Sequence, residues 1–408
     1  MKRLIRALLY AALVLGLLAA CAPVQPSVSS LPTPEISRAS ASAEPTPAPV
    51  QIQSVSPKYV FLFIGDGMAL AQVYAAQMVL GAAQGVPAAL SFTQFPYTGS
   101  ATSYDATSFI PDSAAAGTAI ACGVKTRRGV IGMEADLSTA APNIAELFKA
   151  DGKKIGIVTS VTLNNATPAV FYAHVDSRGD AYEIARQMSE SGVDYFGGGS
   201  LASPQGSSGD EVSAFTLLEQ NGYTLADTAE EIAALSASSG KAYAISPALD
   251  SSGAMPFALD AAEGALTLAD FVRTGIKVLD NDDGFFMMCE SGKVDWACHA
   301  NDAASAIGEV TALSDAVQAA LDFAAEHPGE VLIVVTADHE TGGMSLGNAS
   351  MQYGTDFGLL SEQTISYSAF TAALNAQKTD ELTLLELQPA IREGFGIGVP
   401  ATALPPLR

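Results

Sequence analysis

The sequence predicts an α/β fold in which helices cover both faces of a mostly parallel sheet. Four runs of apolar, β-branched or aromatic residues are continuous rather than alternating, and each ends at a polar cluster. Continuous apolar runs are typical of strands that are buried on both faces, as in parallel sheets. The candidate strands are Tyr59–Ile64, Lys154–Thr159, Gly284–Cys289 and Val331–Thr336.

Helical patterns follow or separate these runs, and no internal repeat is visible from Lys58 onwards. Alternation of strands with helical segments is the pattern of a parallel sheet whose strands are joined by crossover helices. The candidate helices are Ala69–Leu80, Asn143–Ala150, Ala181–Ser191, Leu266–Leu279 and Ala303–Ala325.

The composition fits a large folded body. Of the 408 residues, 49% are hydrophobic and 15% are charged, which excludes wholesale disorder. The length predicts two or three folding units, or one large α/β domain with insertions. The formal net charge of −23 would repel a phosphate backbone, so we expect no nucleic-acid partner. An anionic small substrate would then need a local source of positive charge.

The N-terminus has the pattern of a lipoprotein signal peptide over residues 1–20. Three basic residues precede the apolar stretch Ala7–Ala20, which is too short to cross a hydrocarbon core of about 30 Å. The stretch ends in Leu-Ala-Ala before Cys21, a sequence that resembles the bacterial lipoprotein box. We therefore predict lipidation of Cys21 and attachment to a membrane on its extracytoplasmic side.

Residues 21–57 are predicted to form an extended tether, and residues 58–408 the folded body. The tether contains eight prolines among Ser, Thr and Ala, a composition that cannot build a core. Beyond Cys21, the chain has three cysteines, at 122, 289 and 298. An odd number is no disulfide framework, and the sequence leaves a bridge between Cys289 and Cys298 open.

Three of the candidate strands end near a carboxylate. These residues are Asp66, Glu290 and Asp338. Each alone could be a turn former or a helix N-cap. Together they would meet at the carboxyl edge of a parallel sheet, where ligands bind, and their mutual repulsion predicts a bound cation.

Two histidines are placed to act with these acids. Asp295 and His299 are four residues apart, so a helix would put both on one face, where they could share a metal or form a surface ion pair. His339 directly follows Asp338 and is a second candidate ligand.

Ser113 precedes a run of small residues and is either a helix N-cap or a nucleophile. A hydroxyl at a helix N-terminus lies in positive potential, and a metal could activate it without a Ser-His-Asp triad. No G-x-S-x-G elbow and no Walker A loop is present. Arg178 is a candidate phosphate ligand, although alone it could be a surface arginine.

Six motifs occur in a fixed order: Ile64 to Met68, Asp112-Ser113-Ala114, Ala166 to Ala169, Ala173 to Arg178, Glu290 to His299, and Thr336 to Glu340. Together they resemble the alkaline phosphatase family, from about Lys58 to Gly347. The resemblance implies a three-layer α/β/α sandwich and a phosphomonoesterase that uses two Zn²⁺ and one Mg²⁺. Because members are often dimers, a homodimer is also an expectation.

The resemblance implies a role for each site residue. Ser113 would form a phosphoseryl intermediate, and Arg178 would hold phosphate oxygens. Asp66 would bridge one zinc and the magnesium. The remaining ligands would be Asp338 and His339 on that zinc, Thr167 and Glu290 on the magnesium, and Asp295 and His299 on the zinc that activates water.

Two departures from the family pattern bear on function. The water-activating zinc takes a third ligand from a C-terminal His-Thr-Gly segment in relatives, and this chain has no histidine after His339. That zinc site is therefore expected to be incomplete, and a truncated product, lost activity or an unmatched acid as substitute all stay open. Asn165 stands where relatives often carry Asp or His, which should alter magnesium affinity from outside the ligand set.

Three hypotheses about the function therefore stay open. The leading one is a metal-dependent phosphomonoesterase acting on small phosphorylated substrates. A phosphodiesterase or sulfatase-like relative is the nearest rival, and Ser113 with Arg178 and the magnesium set favours monoesters over it. A non-catalytic lipoprotein that binds metal or phosphate is the alternative that the missing histidine favours.

Overall fold

The computed structural model describes residues 56–347, 354–376 and 384–398. The signal peptide 1–20, Cys21 and the tether up to residue 55 lie outside the described residues. The described residues build one sheet of seven strands in the order β4-β5-β3-β2-β6-β1-β7, and every pairing is parallel. The strands are β1 (Tyr59–Gly65), β2 (Lys154–Thr159), β3 (Tyr195–Gly198), β4 (Tyr223–Ala226), β5 (Lys241–Ile245), β6 (Phe285–Ser291) and β7 (Val331–Ala337).

The helices connect these strands and flank the sheet. They are α1 (Leu70–Gly81), α2 (Ser113–Cys122), α3 (Ile144–Ala150), α4 (Ala166–Ala169), α5 (Ala181–Glu190), α6 (Ala214–Gln220), α7 (Ala229–Ala234), α8 (Leu268–Leu279), α9 (Lys293–His299), α10 (Ala303–Glu326), α11 (Tyr367–Ala376) and α12 (Leu384–Phe395). Within the described ranges, no helix combines the length and the apolar character needed to cross a bilayer.

Two hydrophobic cores lie on opposite faces of the sheet. Successive side chains of a strand point to opposite faces, and in β1 Phe61 and Phe63 enter the core that includes α8 and α10. Val60 and Ile64 enter the other core, with residues of α4 and α5. This arrangement confirms the predicted α/β fold with helices on both sides of a parallel sheet.

The structure corrects the sequence-based prediction at several elements. Strands β3, β4 and β5 were not predicted, because runs of four or five residues rich in Gly, Ala and Tyr give little periodic signal. Glu290 lies within β6 rather than after it. Strand β7 is an edge strand whose Leu332 and Val334 are exposed, so it is not buried on both faces as predicted. The sequence left a bridge between Cys289 and Cys298 open, and in the structure both are free thiols.

Helix starts differ from prediction by one or two residues because capping residues stand outside the helix. Asn143, predicted as the first residue of a helix, is the N-cap of α3, and its Oδ1 accepts from the backbone N of Glu146 at 3.0 Å. Thr267 caps α8 in the same way. Such caps satisfy backbone N–H groups that have no partner within the helix.

A buried lysine ties the segment before α8 to the start of α9. The Lys293 side chain is 1% exposed, and its Nζ lies 2.5 Å from Asp250 Oδ2. The same Nζ lies 4.0 Å from the ring centroid of Phe257 and 4.9 Å from that of Trp296. An ammonium group removed from water needs such partners, because its desolvation is otherwise uncompensated. The contact holds α9 two residues before Asp295.

Replacement of Asp250 with Ala should lower the free energy of unfolding by on the order of 3 kcal/mol, because it leaves the Lys293 ammonium buried without its carboxylate. Urea unfolding measures the loss. Glu190→Ala is the matched control, since it breaks the exposed ion pair with Arg186 and should cost less than about 1 kcal/mol. Equal losses in the two variants would contradict a stabilising role for the buried pair.

Candidate metal centre and active site

The carboxyl end of β1 brings the first acid to the sheet edge. Asp66 follows Gly65 and is buried. Gly67 then turns the chain with a φ of +69°, and its backbone N donates to Asp338 Oδ1 at 3.1 Å. A Cβ on Gly67 would lie 2.9 Å from both Asp295 Oδ1 and Thr341 Oγ1. The turn thus needs glycine for its backbone conformation and for the close approach of two other segments.

Asp66, Asp338 and His339 form a compact cluster beyond β1 and β7. Their candidate ligand atoms all lie within 4.8 Å of one another. His339 Nε2 is 3.4 Å from Asp66 Oδ1 and 3.4 Å from Asp338 Oδ2. Because β1 and β7 are adjacent parallel strands, their carboxyl ends deliver these side chains to the same place.

Ser113 is the first residue of α2 and points into this cluster. Its Oγ lies 3.3 Å from Asp66 Oδ1 and 3.1 Å from His339 Nε2. Asp112 is the N-cap, and its Oδ1 accepts from Ala115 N at 3.1 Å. The Ser113 hydroxyl is therefore not used as a cap, and it lies at the positive end of the helix.

Glu290 and Thr167 complete the buried side of the cluster. Thr159 Oγ1 donates to Glu290 Oε2, and Thr167 Oγ1 lies 3.5 Å from Asp66 Oδ2. Glu290 Oε1 and Asp338 Oδ2 are buried without a hydrogen-bond donor among the described residues. Buried carboxylate oxygens are normally paired, so these two atoms are the orphans that a cation would satisfy.

The acids raise the proton affinity of one another. Burial raises the pKa of Asp66 well above its usual range, and the negative charges of Asp338, Glu290 and Asp295 add to the effect. Burial likewise raises the pKa of Glu290 to about 7 and raises the pKa of Asp338. Without a cation, the cluster holds its negative charge at high cost. The donor set of carboxylates, hydroxyls and one imidazole suits Zn²⁺ and Mg²⁺.

Asp295 and His299 lie on α9 as the spacing predicted, next to the cluster. His299 Nε2 lies 3.4 Å from Asp295 Oδ2, and the His299 side chain is 71% exposed. Thr341 Oγ1 donates to Asp295 Oδ1 at 2.6 Å and lies 3.2 Å from His339 Nδ1. Thr341 thus links this pair to the Asp66 cluster.

Arg178 is positioned by two side chains, Asp112 and Asn165. Its Nη1 donates to Asp112 Oδ2 at 3.1 Å, and its Nη2 lies 3.4 Å from Asn165 Oδ1. Asn165 Oδ1 also accepts from the backbone N of Ala166. The guanidinium is held from two sides, while more than a third of the side chain stays exposed.

One cavity of about 350 Å³ is shared by the cluster around Ser113, the Asp295–His299 pair and Arg178. Ser113, Arg178, Asp295, His299 and His339 all line it. Its volume is in the range of small-ligand sites. The arrangement presents a hydroxyl, a guanidinium and a cluster of candidate metal ligands to the same space.

The structure brings all the predicted site residues of the described chain to one region, with Asp66 at the centre. Sequence analysis missed Thr341 and Thr159, which hydrogen-bond to Asp295 and Glu290, and the role of Asp112 as the partner of Arg178. Asp112 stood inside a motif used for the prediction, but nothing in the sequence distinguished a partner for Arg178 from a helix cap. Isolated threonines carry no signal of this kind.

Comparisons with known proteins give a consistent result. A family described as "Alkaline phosphatase" matches residues 57–387. "Alkaline phosphatase 3" of Bacillus subtilis is 32% identical over 300 residues, which cover 71% of this chain and 62% of that protein. "Membrane-bound alkaline phosphatase" of Bombyx mori is 31% identical over 353 residues, which cover 73% of this chain and 62% of that protein. The match thus spans less than two thirds of either relative.

Solved structures agree with these relatives. The alkaline phosphatase from the Antarctic bacterium TAB5 has a TM-score of 0.64 at 32% identity, covering 74% of this chain and 85% of the other. The cold-active enzyme of Shewanella sp. has a TM-score of 0.73 at 26% identity, covering 84% and 81% respectively.

Gly67→Ala should disturb the site more than an ordinary glycine replacement. The added Cβ would clash with Asp295 and Thr341. In addition, alanine would have to adopt the left-handed backbone conformation of residue 67, and this alone costs about 1–3 kcal/mol. The control is Gly85→Ala, at φ +70° with nothing within 4 Å of the added Cβ. Urea unfolding and bound-metal analysis should show a larger loss of stability, and loss of metal, only for Gly67→Ala. Identical behaviour of the two variants would contradict the packing argument.

Proposed function

The chain belongs to the alkaline phosphatase family, and from this premise we propose that it hydrolyses phosphate monoesters with bound divalent metal ions. The observation that carries the proposal is the position of Ser113 Oγ, 3.3 Å from Asp66 and 3.1 Å from His339 in a cavity that Arg178 also lines. A hydroxyl at a helix N-terminus, beside a cation-binding cluster and opposite a guanidinium, suits phosphoryl transfer.

The metal ligands follow the family pattern in this proposal. Asp66, Asp338 and His339 would hold one zinc, and Asp295 and His299 would contribute to a second. Thr167 and Glu290 would hold magnesium together with Asp66. The orphaned oxygens of Glu290 and Asp338 support this assignment, because each lacks a hydrogen-bond donor. When bound, such ions supply positive charge that stabilises attacking and leaving oxygens.

The protein's own side chains would carry the rest of the reaction. The Ser113 oxygen would attack phosphorus and lose its proton to solvent, the bond between phosphorus and the alcohol oxygen would break, and the alcohol would take up a proton as the phosphoserine forms. Water would then attack phosphorus, and the bond to the Ser113 oxygen would break. Inorganic phosphate would leave, and a proton of that water would restore the Ser113 hydroxyl. Arg178, held by Asp112 and Asn165, donates to two phosphate oxygens and orients them through both steps.

The proposal extends to location and assembly. Lipidation of Cys21 and the tether that follows would hold the folded body at the extracytoplasmic face of a membrane, and the active form would be a homodimer. The basic and apolar pattern before Cys21 supports the anchor.

Ser113→Ala should reduce kcat/KM for an aryl phosphate monoester by at least about a thousandfold, because the covalent route is lost. The measurement is phosphate release by the full chain supplied with Zn²⁺ and Mg²⁺. Mass spectrometry of acid-quenched reactions should find a phosphoryl group on Ser113 of the unaltered protein. Ser138→Ala, an exposed serine outside the cavity, is the matched control and should keep full activity.

The same assay separates the rival functions. Faster turnover of an aryl diester or an aryl sulfate than of the monoester would replace the proposal with a related esterase. Metal binding with no turnover of any of the three esters would indicate a binding protein.

Asp66→Ala should lower bound metal by two ions for each chain rather than one, because a single carboxylate is proposed to serve both zinc and magnesium. Elemental analysis of the purified full chain measures the stoichiometry. Asp136→Ala removes an exposed acid away from the site and should leave it unchanged. Loss of only one ion would contradict the bridging role of Asp66.

A further inference from the structure

Three cations without an acidic partner stand beside the cavity. Lys125, Arg127 and Arg128 fall within four residues and are all exposed. Among the described residues none of the three forms an ion pair, whereas the nearby Arg178 is paired with Asp112. Exposed charges without a partner project a field into solvent rather than into the protein. The chain has a net charge of −23, so a cluster of positive charges has the sign opposite to that of the chain as a whole.

Hydrogen bonds hold this basic segment against the wall of the cavity. Arg128 Nη2 lies 3.5 Å from the carbonyl oxygen of Ile110, a residue that lines the cavity. Gly129 N donates at 3.1 Å to both carboxylate oxygens of Asp112, the residue that precedes the nucleophile. The segment that carries the cations therefore packs against residues that line the cavity in front of Ser113.

Two further bonds brace the loop that precedes Asp112. Lys125 Nζ donates to the carbonyl oxygen of Tyr104 at 2.7 Å, and Ala106 N donates to the carbonyl oxygen of Thr126 at 2.8 Å. These bonds join the basic segment to the loop at several points, so its charges keep a defined position relative to the cavity.

The acids near the basic segment are engaged with other groups. Asp105 is buried and accepts from Thr107 and Ser108, and the Asp112 carboxylate is occupied by Arg178 and Gly129. Glu340 also lines the cavity, and its Oε1 accepts from a backbone N at 2.7 Å. Among the described residues, none of these acids is ion-paired with Lys125, Arg127 or Arg128.

We propose that Lys125, Arg127 and Arg128 form a basic rim that draws anionic esters to Ser113 and favours those with a second phosphate group over simple monophosphates. The inference rests on the proposed function and names the substrate class that the site prefers. A uniformly acidic surface would keep dianions away, and a local cationic rim reverses that repulsion where the substrate enters.

The size of the effect follows from Coulomb attraction and salt screening. Two unit charges about 10 Å from a dianion change its local concentration about threefold at 0.1 M salt, and by more at lower salt. A bisphosphate carries about twice the charge of a monophosphate at neutral pH, so its change should approach about tenfold. At about 1 M salt the screening length falls to about 3 Å and both effects should vanish.

The test compares fructose 6-phosphate with fructose 1,6-bisphosphate on the metal-loaded full chain. In Arg127→Ser/Arg128→Ser, KM at 0.1 M salt should rise about threefold for the monophosphate and about tenfold for the bisphosphate, with kcat unchanged. Arg127→Lys/Arg128→Lys keeps both charges and should behave as the unaltered protein. Arg273→Ser/Lys277→Ser removes two exposed cations of α8, outside the basic segment, and should leave both KM values unchanged.

Equal changes for the two substrates, changes that persist at 1 M salt, or the same loss in the lysine variant would overturn the basic rim. A second measurement needs no turnover: calorimetric binding of inorganic phosphate should weaken about threefold in the serine variant at 0.1 M salt. Unaltered phosphate affinity would overturn the rim. Weakened phosphate affinity in a protein that hydrolyses neither ester would support the rim and reject the proposed hydrolase.

Discussion

Like-charge repulsion among buried carboxylates is the constraint on which the rest of the site depends. Asp66, Glu290 and Asp338 are all buried at one sheet edge, and burial raises the pKa of each. Glu290 and Asp338 each also keep a buried oxygen without a hydrogen-bond donor. Such a cluster can stay ionised at low cost only when a cation neutralises it. The fold therefore favours the binding of cations at this position. Ser113 and His339 both contact Asp66 at this edge of the sheet.

The parallel sheet makes this concentration of charge possible. Strands β6, β1 and β7 are adjacent and parallel, so their carboxyl ends lie side by side. Residues that are more than two hundred positions apart, such as Asp66 and Asp338, thereby come within reach of one cation. Gly67 allows the close approach, because a side chain there would meet Asp295 and Thr341.

The electrostatics of the whole chain oppose those of its site. A net charge of −23 disfavours the approach of any phosphate ester, while the proposed reaction requires a phosphoryl group next to several carboxylates. Bound cations would resolve the conflict at short range, and the basic rim would resolve it at the mouth of the cavity. Arg178 lines the same cavity and is oriented by Asp112 and Asn165.

The fold class, the four long strands and the residues that meet at the sheet edge could all be predicted from the sequence. Long apolar runs and the Asp295–His299 spacing are local patterns, and the six ordered motifs resemble those of a family whose members share a set of site residues. The short strands β3 to β5 form because they pair with neighbouring strands, and β7 is exposed because it lies at the edge of the sheet. Neither property leaves a local pattern in the sequence, so neither was predicted. The roles of Thr341, Thr159 and Asp112 as partners of site residues became visible only in the tertiary structure. A hydrogen bond between two distant segments produces no recognisable pattern in the sequence of either segment. Likewise, the sequence shows that Lys125, Arg127 and Arg128 are close together, but only the fold packs their segment against residues that line the cavity of Ser113.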